Sequence, residues 1–183
     1  IYWCAADPGW AYGLYYGVLA TFTTGVRSIF YEGKFAPEAT FDIIRRENVT
    51  NFAAAPTVYR SLRSAQPTMS NPLQLRCASS AGEPLTPDVN AWAVKALGVE
   101  VHDHYGQTEV GMVINNHHHP DLKQPIKVGA MGRALPGWTA AILKDDEDVP
   151  AAIGETGRVA MDLSRSPLAF FSGYDGDPGK TAE

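Results

Sequence analysis

Two patterns of apolar and polar positions divide the chain near residue 125. Before this point, short apolar or alternating runs are separated by stretches with helical spacing, and proline or glycine marks most boundaries. This alternation predicts an α/β fold, with a mainly parallel sheet and helices on its faces. After it, helical spacing is lost and strand-like runs alternate with turns rich in Gly, Pro and Asp. We therefore expect an α/β subdomain over residues 1–125 and a β-rich subdomain over residues 126–183.

The boundaries of the single elements follow from residues that start or stop them. Proline near the start, and arginines or a glycine near the end, predict helices at residues 37–46, 56–65 and 86–97. Thr86 is expected to cap the third helix and Gly98 to close it. Apolar or alternating runs predict strands at residues 26–31, 49–54, 73–77, 99–104, 138–143 and 158–163.

The segment Tyr105-Gly106-Gln107-Thr108-Glu109 carries the most specific chemistry. It follows the predicted strand 99–104, which we expect to end in a turn at Gly106. In open parallel sheets, ligands bind beyond the carboxyl ends of the strands. An aromatic ring can cover a base, a hydroxyl can donate to a phosphate, and a carboxylate can hold Mg²⁺ beside that phosphate. The segment therefore predicts a site for a nucleoside triphosphate.

Further short motifs accompany this segment in a fixed order. They are Asp7-Pro8-Gly9-Trp10, Ala55-Pro56-Thr57-Val58-Tyr59-Arg60, Ser80-Ala81-Gly82-Glu83-Pro84-Leu85, Val128-Gly129-Ala130-Met131-Gly132-Arg133 with Pro136-Gly137, Gly154-Glu155-Thr156-Gly157, and Gly173-Tyr174 with Thr181. This series resembles the adenylate-forming enzymes, which include acyl-CoA synthetases, luciferases and the adenylation domains of peptide synthetases. The resemblance extends over the whole chain and is greatest for the acetyl- and medium-chain acyl-CoA synthetase branch.

The resemblance implies an ATP-dependent carboxylic acid:CoA ligase that works in two steps. The carboxylate of the acid attacks MgATP to give an acyl-adenylate, and the CoA thiol then takes the acyl group. In this scheme Glu109 is the Mg²⁺ ligand, Thr108 contacts the phosphates near a helix start, and Tyr105 lies against adenine. The implied nucleotide-binding set is Gly82, Glu83, Pro84, Asp103, His104, Tyr105, Gly106, Gln107 and Thr108.

Each of these residues also has a purely structural interpretation. The Gly82-Glu83-Pro84 run could be only a turn from strand to helix, because Gly and Pro occur in loops of every kind. Tyr105 could be an ordinary buried aromatic residue, and Thr108 could be only a helix cap. Glu109 has the weakest structural alternative, since a carboxylate beside a glycine turn at a sheet end serves few structural purposes.

The expected acyl and CoA pocket consists of Trp10, Tyr12, Ala81 and Gly106. Acetyl-specific relatives carry a tryptophan at the position of Gly106, so we expect this glycine to leave space for a longer acid. Each buried methylene would contribute roughly 0.8 kcal/mol. The expected substrate is therefore a medium-chain, branched or aryl acid.

Several parts of the implied enzyme are not found in these residues. They are the phosphate loop rich in Ser, Thr and Gly, the ribose-binding aspartate, and the C-terminal domain with its catalytic lysine. The chain also begins at Ile1 without an initiator methionine. We therefore expect a central fragment that is inactive alone. The alternative is a truncated, non-catalytic α/β module that only binds nucleotide or a partner.

Composition excludes several other classes of function. The net charge of −5 provides no basic surface for nucleic acid. The apolar stretch at residues 12–22 is too short, and too interrupted by glycine, to span a bilayer. Cys4 and Cys77 lack metal-binding spacing and suit reduced thiols, which favours a cytoplasmic location.

Other local patterns are given structural interpretations. Gly179-Lys180-Thr181 resembles the end of a phosphate-binding P-loop, but its leading glycine is misplaced and we expect no helix after it. The run at residues 117–119 is expected to be a solvated loop rather than a metal site. His102 and His104 should share one face of a strand, where packing is favoured over metal binding.

Overall fold

The computed structural model describes residues 1–65 and 73–182, with only the backbone described for Ala182. In these ranges a six-stranded sheet has its strands in sequence order from one edge to the other. The strands are β1 Tyr2–Cys4, β2 Asn51–Ala54, β3 Cys77–Ala81, β4 Val101–Gln107, β5 Gly111–Asn115 and β6 Arg133–Ala134. The first four are parallel, whereas β5 and β6 are antiparallel to their neighbours. The predicted α/β class with a mainly parallel sheet is confirmed.

Helices connect the parallel strands, and a second small sheet follows. The helices are a π-helix Gly13–Leu19, α1 Ala20–Thr24, α2 Pro37–Arg46, α3 Pro56–Ala65, α4 Pro87–Ala96, a 3₁₀ turn Leu163–Arg165 and α5 Pro178–Ala182. The second sheet consists of β7 Ala140–Leu143 and β8 Arg158–Met161, which pair antiparallel. Strand β6, although it lies after residue 125, completes the main sheet. The boundary between residues 125 and 126 stays a prediction.

One apolar cluster lies between the parallel strands and helices α2, α3 and α4. Its fully buried members are Phe41, Ile44, Val49, Phe52, Ala54, Tyr59, Leu62, Ala78, Val89, Ala93, Leu97 and Val101. Burying a large apolar side chain contributes about 1.5–3 kcal/mol, so this cluster accounts for much of the stability of the fold. The Tyr59 hydroxyl donates to the Ser79 carbonyl at 2.9 Å, which fastens α3 to β3.

The predicted helices are confirmed almost residue by residue. Helices α2 and α3 have the expected bounds, and α4 ends one residue before the expected end. Thr86 occupies the position before α4, but its side chain makes no capping hydrogen bond. Gly98 has a φ of +75°, a left-handed value suited to the residue that follows a helix.

Two predicted strands differ from the structure. Residues 26–31 form only one bridge, from Ser28 to Tyr2, and Val26 and Phe30 are largely exposed. The expected strand 73–77 instead begins at Cys77 and continues to Ala81. At residues 27–29 the chain exchanges two backbone hydrogen bonds with Tyr2, but the pairing does not continue along the rest of the predicted strand.

Four helical segments of the described residues were not predicted from the sequence. The π-helix and α1 occupy the stretch at residues 13–24, where only an apolar run was recognised. Pro178–Ala182 forms one short helical turn, which contains Gly179-Lys180-Thr181 and does not follow it, and a 3₁₀ turn lies at Leu163–Arg165. In the described ranges, no helix combines the length and apolar character needed to cross a membrane.

Candidate functional site

A cleft of about 450 Å³ lies at the carboxyl ends of β3 and β4. Its lining residues are Trp10, Ala11, Tyr12, Tyr15, Tyr16, Gly82, Gly106, Gln107, Thr108, Glu109, Gly111, Met112 and Tyr174. The cleft therefore combines aromatic rings, a hydroxyl, a carboxylate and glycine backbone at the sheet edge where ligands bind.

The segment of residues 105–109 is part of a β-hairpin, which corrects the sequence analysis. Strand β4 continues through Gly106 to Gln107 instead of ending in a glycine turn. A tight turn at residues 108–110 leads directly into antiparallel β5, so no helix begins at Thr108. Thr108 is exposed on this turn. The earlier interpretation failed because β-pairing with Gly111–Asn115 is a long-range feature that the local pattern does not contain.

Gly106 does not leave the open space that was expected. The register of β4 and β5 shifts between Tyr105 and Gly106. A Cβ atom at Gly106 would lie 2.0 Å from the Gly111 carbonyl oxygen and 2.7 Å from the Met112 Cα. The side-chain direction is therefore filled by the backbone of β5, and the absence of an indole at Gly106 does not enlarge the cleft.

Glu109 lies in the cleft and accepts a hydrogen bond from a distant tyrosine. The Tyr174 hydroxyl donates to Glu109 Oε1 at 2.7 Å. This bond lowers the pKa of Glu109 and raises the pKa of Tyr174, because it stabilises the ionised carboxylate and the neutral phenol. Lys180 Nζ lies 4.6 Å from the centre of the Tyr174 ring. The carboxylate is thus ionised at neutral pH and held at one oxygen.

Aromatic rings form the opposite wall of the cleft. The ring centres of Trp10 and Tyr12 are 5.3 Å apart, and those of Tyr12 and Tyr16 are 5.4 Å apart. The Met112 amide donates to the Tyr16 hydroxyl at 2.7 Å, which joins the π-helix to β5. Complete burial raises the pKa of Tyr12 well above its usual value, so its phenol remains neutral. π-Helical segments often occur at functional sites, and here the segment carries Tyr15 and Tyr16 into the cleft wall.

The Gly82-Glu83-Pro84 turn follows β3 at the rim of the cleft. Gly82 has a φ of +103°, and an added Cβ would lie 2.8 Å from the Trp10 ring. The turn therefore requires glycine both for its backbone and for the close approach of Trp10. Arg60 of α3 pairs with Glu83 at 2.8 Å, and this hydrogen-bonded pair lowers the pKa of Glu83. The turn is thus braced from α3, with Glu83 and Pro84 exposed.

Asp103 lies on β4 but faces a different cavity. This second cavity, of about 220 Å³, is bounded by α4 and residues 126–130. Asp103 Oδ2 accepts from the Leu85 amide at 3.4 Å, and Oδ1 is buried with no partner among the described residues. Burial raises the pKa of this carboxyl. An unpartnered buried acceptor beside a cavity is a suitable contact for a ligand with N–H groups.

The histidines form a packed stack on the other face of β4. The rings of His102 and His118 stack at 3.8 Å, and His104 lies edge-on to His118 at 6.1 Å. His118 Nε2 lies 3.0 Å from Ser79 Oγ. His102 and His104 therefore share a strand face and pack, as expected, but the solvated loop predicted at residues 117–119 is wrong for His118. In residues 1–65 and 73–182, no group of three or more His, Cys, Asp or Glu is arranged to hold a metal.

The structure thus brings together only part of the predicted site. Trp10, Tyr12, Gly82, Gly106, Gln107, Thr108 and Glu109 line the cleft. Ala81 is fully buried in one apolar cluster with Cys4 and Tyr12 and is not among the lining residues. Glu83, Pro84, Asp103, His104 and Tyr105 are not among the lining residues, although the hydroxyl of half-buried Tyr105 accepts from Gln107 Nε2 at 3.3 Å.

Several residues of the cleft lie outside every motif to which the sequence pattern gives a site role. Tyr16, Gly111 and Met112 enter it through the β4–β5 hairpin and the π-helix, neither of which was predicted. Tyr174 was noticed only as part of the Gly173-Tyr174 motif. Its contact with Glu109 spans 65 residues, so no local pattern could have indicated it.

Comparisons of the sequence with known proteins identify relatives of this chain. The chain is 38% identical over 147 residues to an acetyl-coenzyme A synthetase of Bacillus subtilis (strain 168), covering 78% of the chain and 25% of that protein. It is 31% identical to the mitochondrial acyl-coenzyme A synthetase ACSM4 of Homo sapiens, covering 100% of the chain and 31% of that protein. The chain therefore spans about a third or less of the length of these relatives.

Solved structures show the same fold. An acyl-CoA synthetase of Brucella canis superposes with a TM-score of 0.89 at 47% identity, covering 95% of the chain and 32% of that protein. A benzoate CoA ligase of Burkholderia xenovorans LB400, at 23% identity, shares the fold with a TM-score of 0.84, covering 99% of the chain and 35% of that protein. The family described as AMP-binding enzyme matches residues 1–174. The chain therefore belongs to the AMP-binding enzyme family, and it corresponds to part of the N-terminal domain of an acyl-CoA synthetase.

Proposed function

We propose that this chain belongs to an ATP-dependent carboxylic acid:CoA ligase and contributes the parts of its active site that bind the nucleotide and the acid. The whole enzyme would form an acyl-adenylate from MgATP and an acid, and then the CoA thioester. The observation that carries the proposal is the cleft at the carboxyl ends of β3 and β4, where Thr108 and Glu109 face an aromatic wall. The acyl-CoA synthetases among its relatives support the same reaction class.

The residues of the cleft fit a phosphate chain with a divalent cation. Mg²⁺ is usually bound by one or two carboxylates together with substrate phosphates and water. Glu109 supplies one ionised carboxylate, and exposed Thr108 supplies a hydroxyl that can donate to a phosphate oxygen. When bound, the cation would neutralise charge on the phosphates during transfer.

We assign the nucleoside to the rim formed by β3 and β4. The glycine backbone of the Gly82–Pro84 turn, braced by Arg60, allows a flat ring to approach closely. Asp103 lines the second cavity together with Leu85, which directly follows the turn, and we propose that the amino group of adenine meets its unpartnered Oδ1 from that side. Tyr105, His104, Gly106 and Gln107 complete the proposed nucleotide set.

The aromatic wall is the proposed contact for the acid and for the pantetheine arm of CoA. The rings of Trp10 and Tyr12 lie in the cleft wall with Met112. Because these side chains can pack against apolar chains or flat rings, we expect the wall to favour such acids over acetate. We therefore propose a medium-chain, branched or aryl acid as the substrate. This assignment rests on the wall, because the space at Gly106 is filled by β5.

Further parts of the proposal concern the chain as a piece of a larger protein. Because it spans about a third of its relatives, we propose that the chain alone is inactive. We also propose that the whole ligase acts in the cytoplasm, since Cys4 and Cys77 are free thiols. The alternative is a non-catalytic module that binds nucleotide or a partner. It predicts nucleotide binding without pyrophosphate exchange.

The proposal is tested by measuring the exchange of pyrophosphate into ATP on the complete protein. The exchange is compared across a panel of carboxylic acids. We expect exchange to rise from acetate to medium-chain or aryl acids. Glu109→Gln should reduce exchange by about 100-fold or more, because the amide keeps the size but removes charge that stabilises the transition state. Acid binding should be retained.

Glu38→Gln, an exposed change in the first turn of α2, is the matched control and should leave exchange unchanged. Absence of exchange with every acid, together with tight ATP binding, would establish the non-catalytic alternative.

A further inference from the structure

Tyr174 reaches the candidate cation ligand from a distant part of the chain. Its hydroxyl donates to Glu109 Oε1 at 2.7 Å, and the two residues are 65 positions apart. The bond uses one carboxylate oxygen. Since an ionised carboxylate has acceptor sites on both oxygens, Oε2 can still bind a cation.

Neighbouring contacts fix the Tyr174 side chain and backbone. The Tyr174 amide donates to Thr181 Oγ1 at 2.9 Å, and the Thr181 hydroxyl donates to the Asp177 carbonyl at 2.8 Å. Phe171 packs edge-on against the Tyr174 ring with ring centres 5.0 Å apart. Lys180 lies over the ring at 4.6 Å. The phenol is therefore held by α5 and the segment before it.

The local backbone is also shaped for this contact. Gly173 has a φ of +122°, a conformation that side chains other than glycine rarely adopt. An added Cβ would lie 2.8 Å from Thr181 Cγ2. The turn at Gly173 and the one-turn helix α5 thus act together to direct Tyr174 into the cleft.

We propose that Tyr174 is a positioning residue for Glu109, and that its phenol holds the carboxylate in the orientation that takes the divalent cation of the metal–ATP complex. The inference rests on the proposed function. A glutamate side chain has several rotatable bonds, and ordering it by a prior hydrogen bond reduces the entropy lost on cation binding. The segment after β8 thereby contributes to a site whose direct ligand lies on the β4–β5 turn.

A Mn²⁺ titration of the complete protein tests this role. Mn²⁺ replaces Mg²⁺, a non-hydrolysable ATP analogue is present, and electron paramagnetic resonance measures the bound Mn²⁺. Tyr174→Phe removes only the hydroxyl, and we expect the Mn²⁺ dissociation constant to rise about tenfold, as for other groups that orient metal ligands. The KM for the acid should stay within about twofold, since the aromatic wall is untouched.

Tyr31→Phe is the matched control. Tyr31 is exposed, packs edge-on against Trp3 and lies outside the cleft lining, so Mn²⁺ binding should not change. Thr181→Ala keeps the phenol but removes the hydroxyl that accepts from the Tyr174 backbone amide, and should weaken Mn²⁺ binding in the same direction, by less than Tyr174→Phe does. It also tests the inference if Tyr174→Phe fails to fold.

A double-mutant cycle separates positioning from a general structural effect. If Tyr174 acts through Glu109, Tyr174→Phe should cause no further loss of Mn²⁺ binding in a Glu109→Gln protein. Unchanged Mn²⁺ affinity in folded Tyr174→Phe, or fully additive losses in the cycle, would overturn the inference. A wild-type protein without acid-dependent exchange would instead refute the proposed function, so the two failures are distinguishable.

Discussion

Gly106 and Glu109, two residues of the cleft, each have one close contact that defines their role. At Gly106, the carbonyl of Gly111 occupies the place of a Cβ atom, so the residue is required by the close approach of β5. At Glu109, the Tyr174 hydroxyl fixes one carboxylate oxygen. The first residue has a structural role that the sequence analysis took for substrate selection. The second lies in the cleft, where we propose that it binds the cation.

Gly106→Ala should therefore destabilise the complete protein instead of changing its choice of acid. A Cβ atom 2.0 Å from the Gly111 oxygen forces the two strands apart. Overpacking of this kind costs about 1–3 kcal/mol in the free energy of unfolding, which chemical denaturation would measure.

Gly179→Ala is the control for this prediction. Its Cβ would lie 3.6 Å from Asp177 Oδ1, an ordinary contact, and Ala is the better helix former, so the free energy of unfolding should not fall. Equal stability of the two variants would show that β4 and β5 can separate freely at Gly106.

At the scale of elements, α4 is fastened to β4 by a side chain as well as by apolar packing. Asn90 Oδ1 accepts a hydrogen bond from the Val101 amide at 2.8 Å. Val101 is the first residue of β4 and is fully buried. The bond satisfies a buried backbone donor at the point where the site-bearing strand begins.

Asn90→Ala should lower the free energy of unfolding of the complete protein by about 1–3 kcal/mol, because the buried Val101 amide loses its acceptor. Asn90→Asp keeps an acceptor at the same place and should recover most of the loss. Thermal or chemical unfolding gives the comparison. If Asn90→Asp were as unstable as Asn90→Ala, the hydrogen bond would not be the cause.

For the whole molecule, the histidine stack couples folding to pH. It links β3, β4 and the loop after β5 through Ser79, His102, His104 and His118. Burial and the neighbouring histidines lower the pKa of His104 to about 3, and burial, His102 and Lys123 lower that of His118 to about 4. The folded protein therefore keeps both imidazoles neutral under conditions in which an unfolded chain would protonate them.

The direction of the pH effect follows from proton uptake. As the pH falls below 6.5, the ordinary histidine value, the unfolded chain binds protons that the folded protein does not bind until about pH 4 or lower. Unfolding is therefore favoured by acid, and the free energy of unfolding should fall across this window.

His104→Gln should reduce the slope of the free energy of unfolding against pH, by an amount that corresponds to at most one proton taken up on unfolding. Chemical denaturation of the complete protein between pH 7 and pH 4 measures this slope. If His104→Gln retained the full wild-type slope, His104 would not be one of the groups that resist protonation.

Sequence reasoning succeeded where the determining signals were local. Pro37 and Pro56 start helices, and the arginines near residue 46 mark an end, so α2 and α3 were predicted with their observed bounds. The order of the short motifs also indicated the family that the comparisons show. Reasoning failed at residues 26–31 and at the turn after Gln107, where strand pairing depends on distant partners.

The sequence by itself determined the α/β class, the longer helices, the family, and the presence of Thr108 and Glu109 beside a sheet end. These features follow from propensities, from residues that start or stop helices, and from motifs, all of which act over a few residues. Only the tertiary structure decided the direction of each side chain. It filled the space at Gly106, turned Asp103 toward a second cavity, and brought Tyr174 to Glu109. Each outcome depends on contacts between segments far apart in the chain, whose approach is set by β-pairing and core packing.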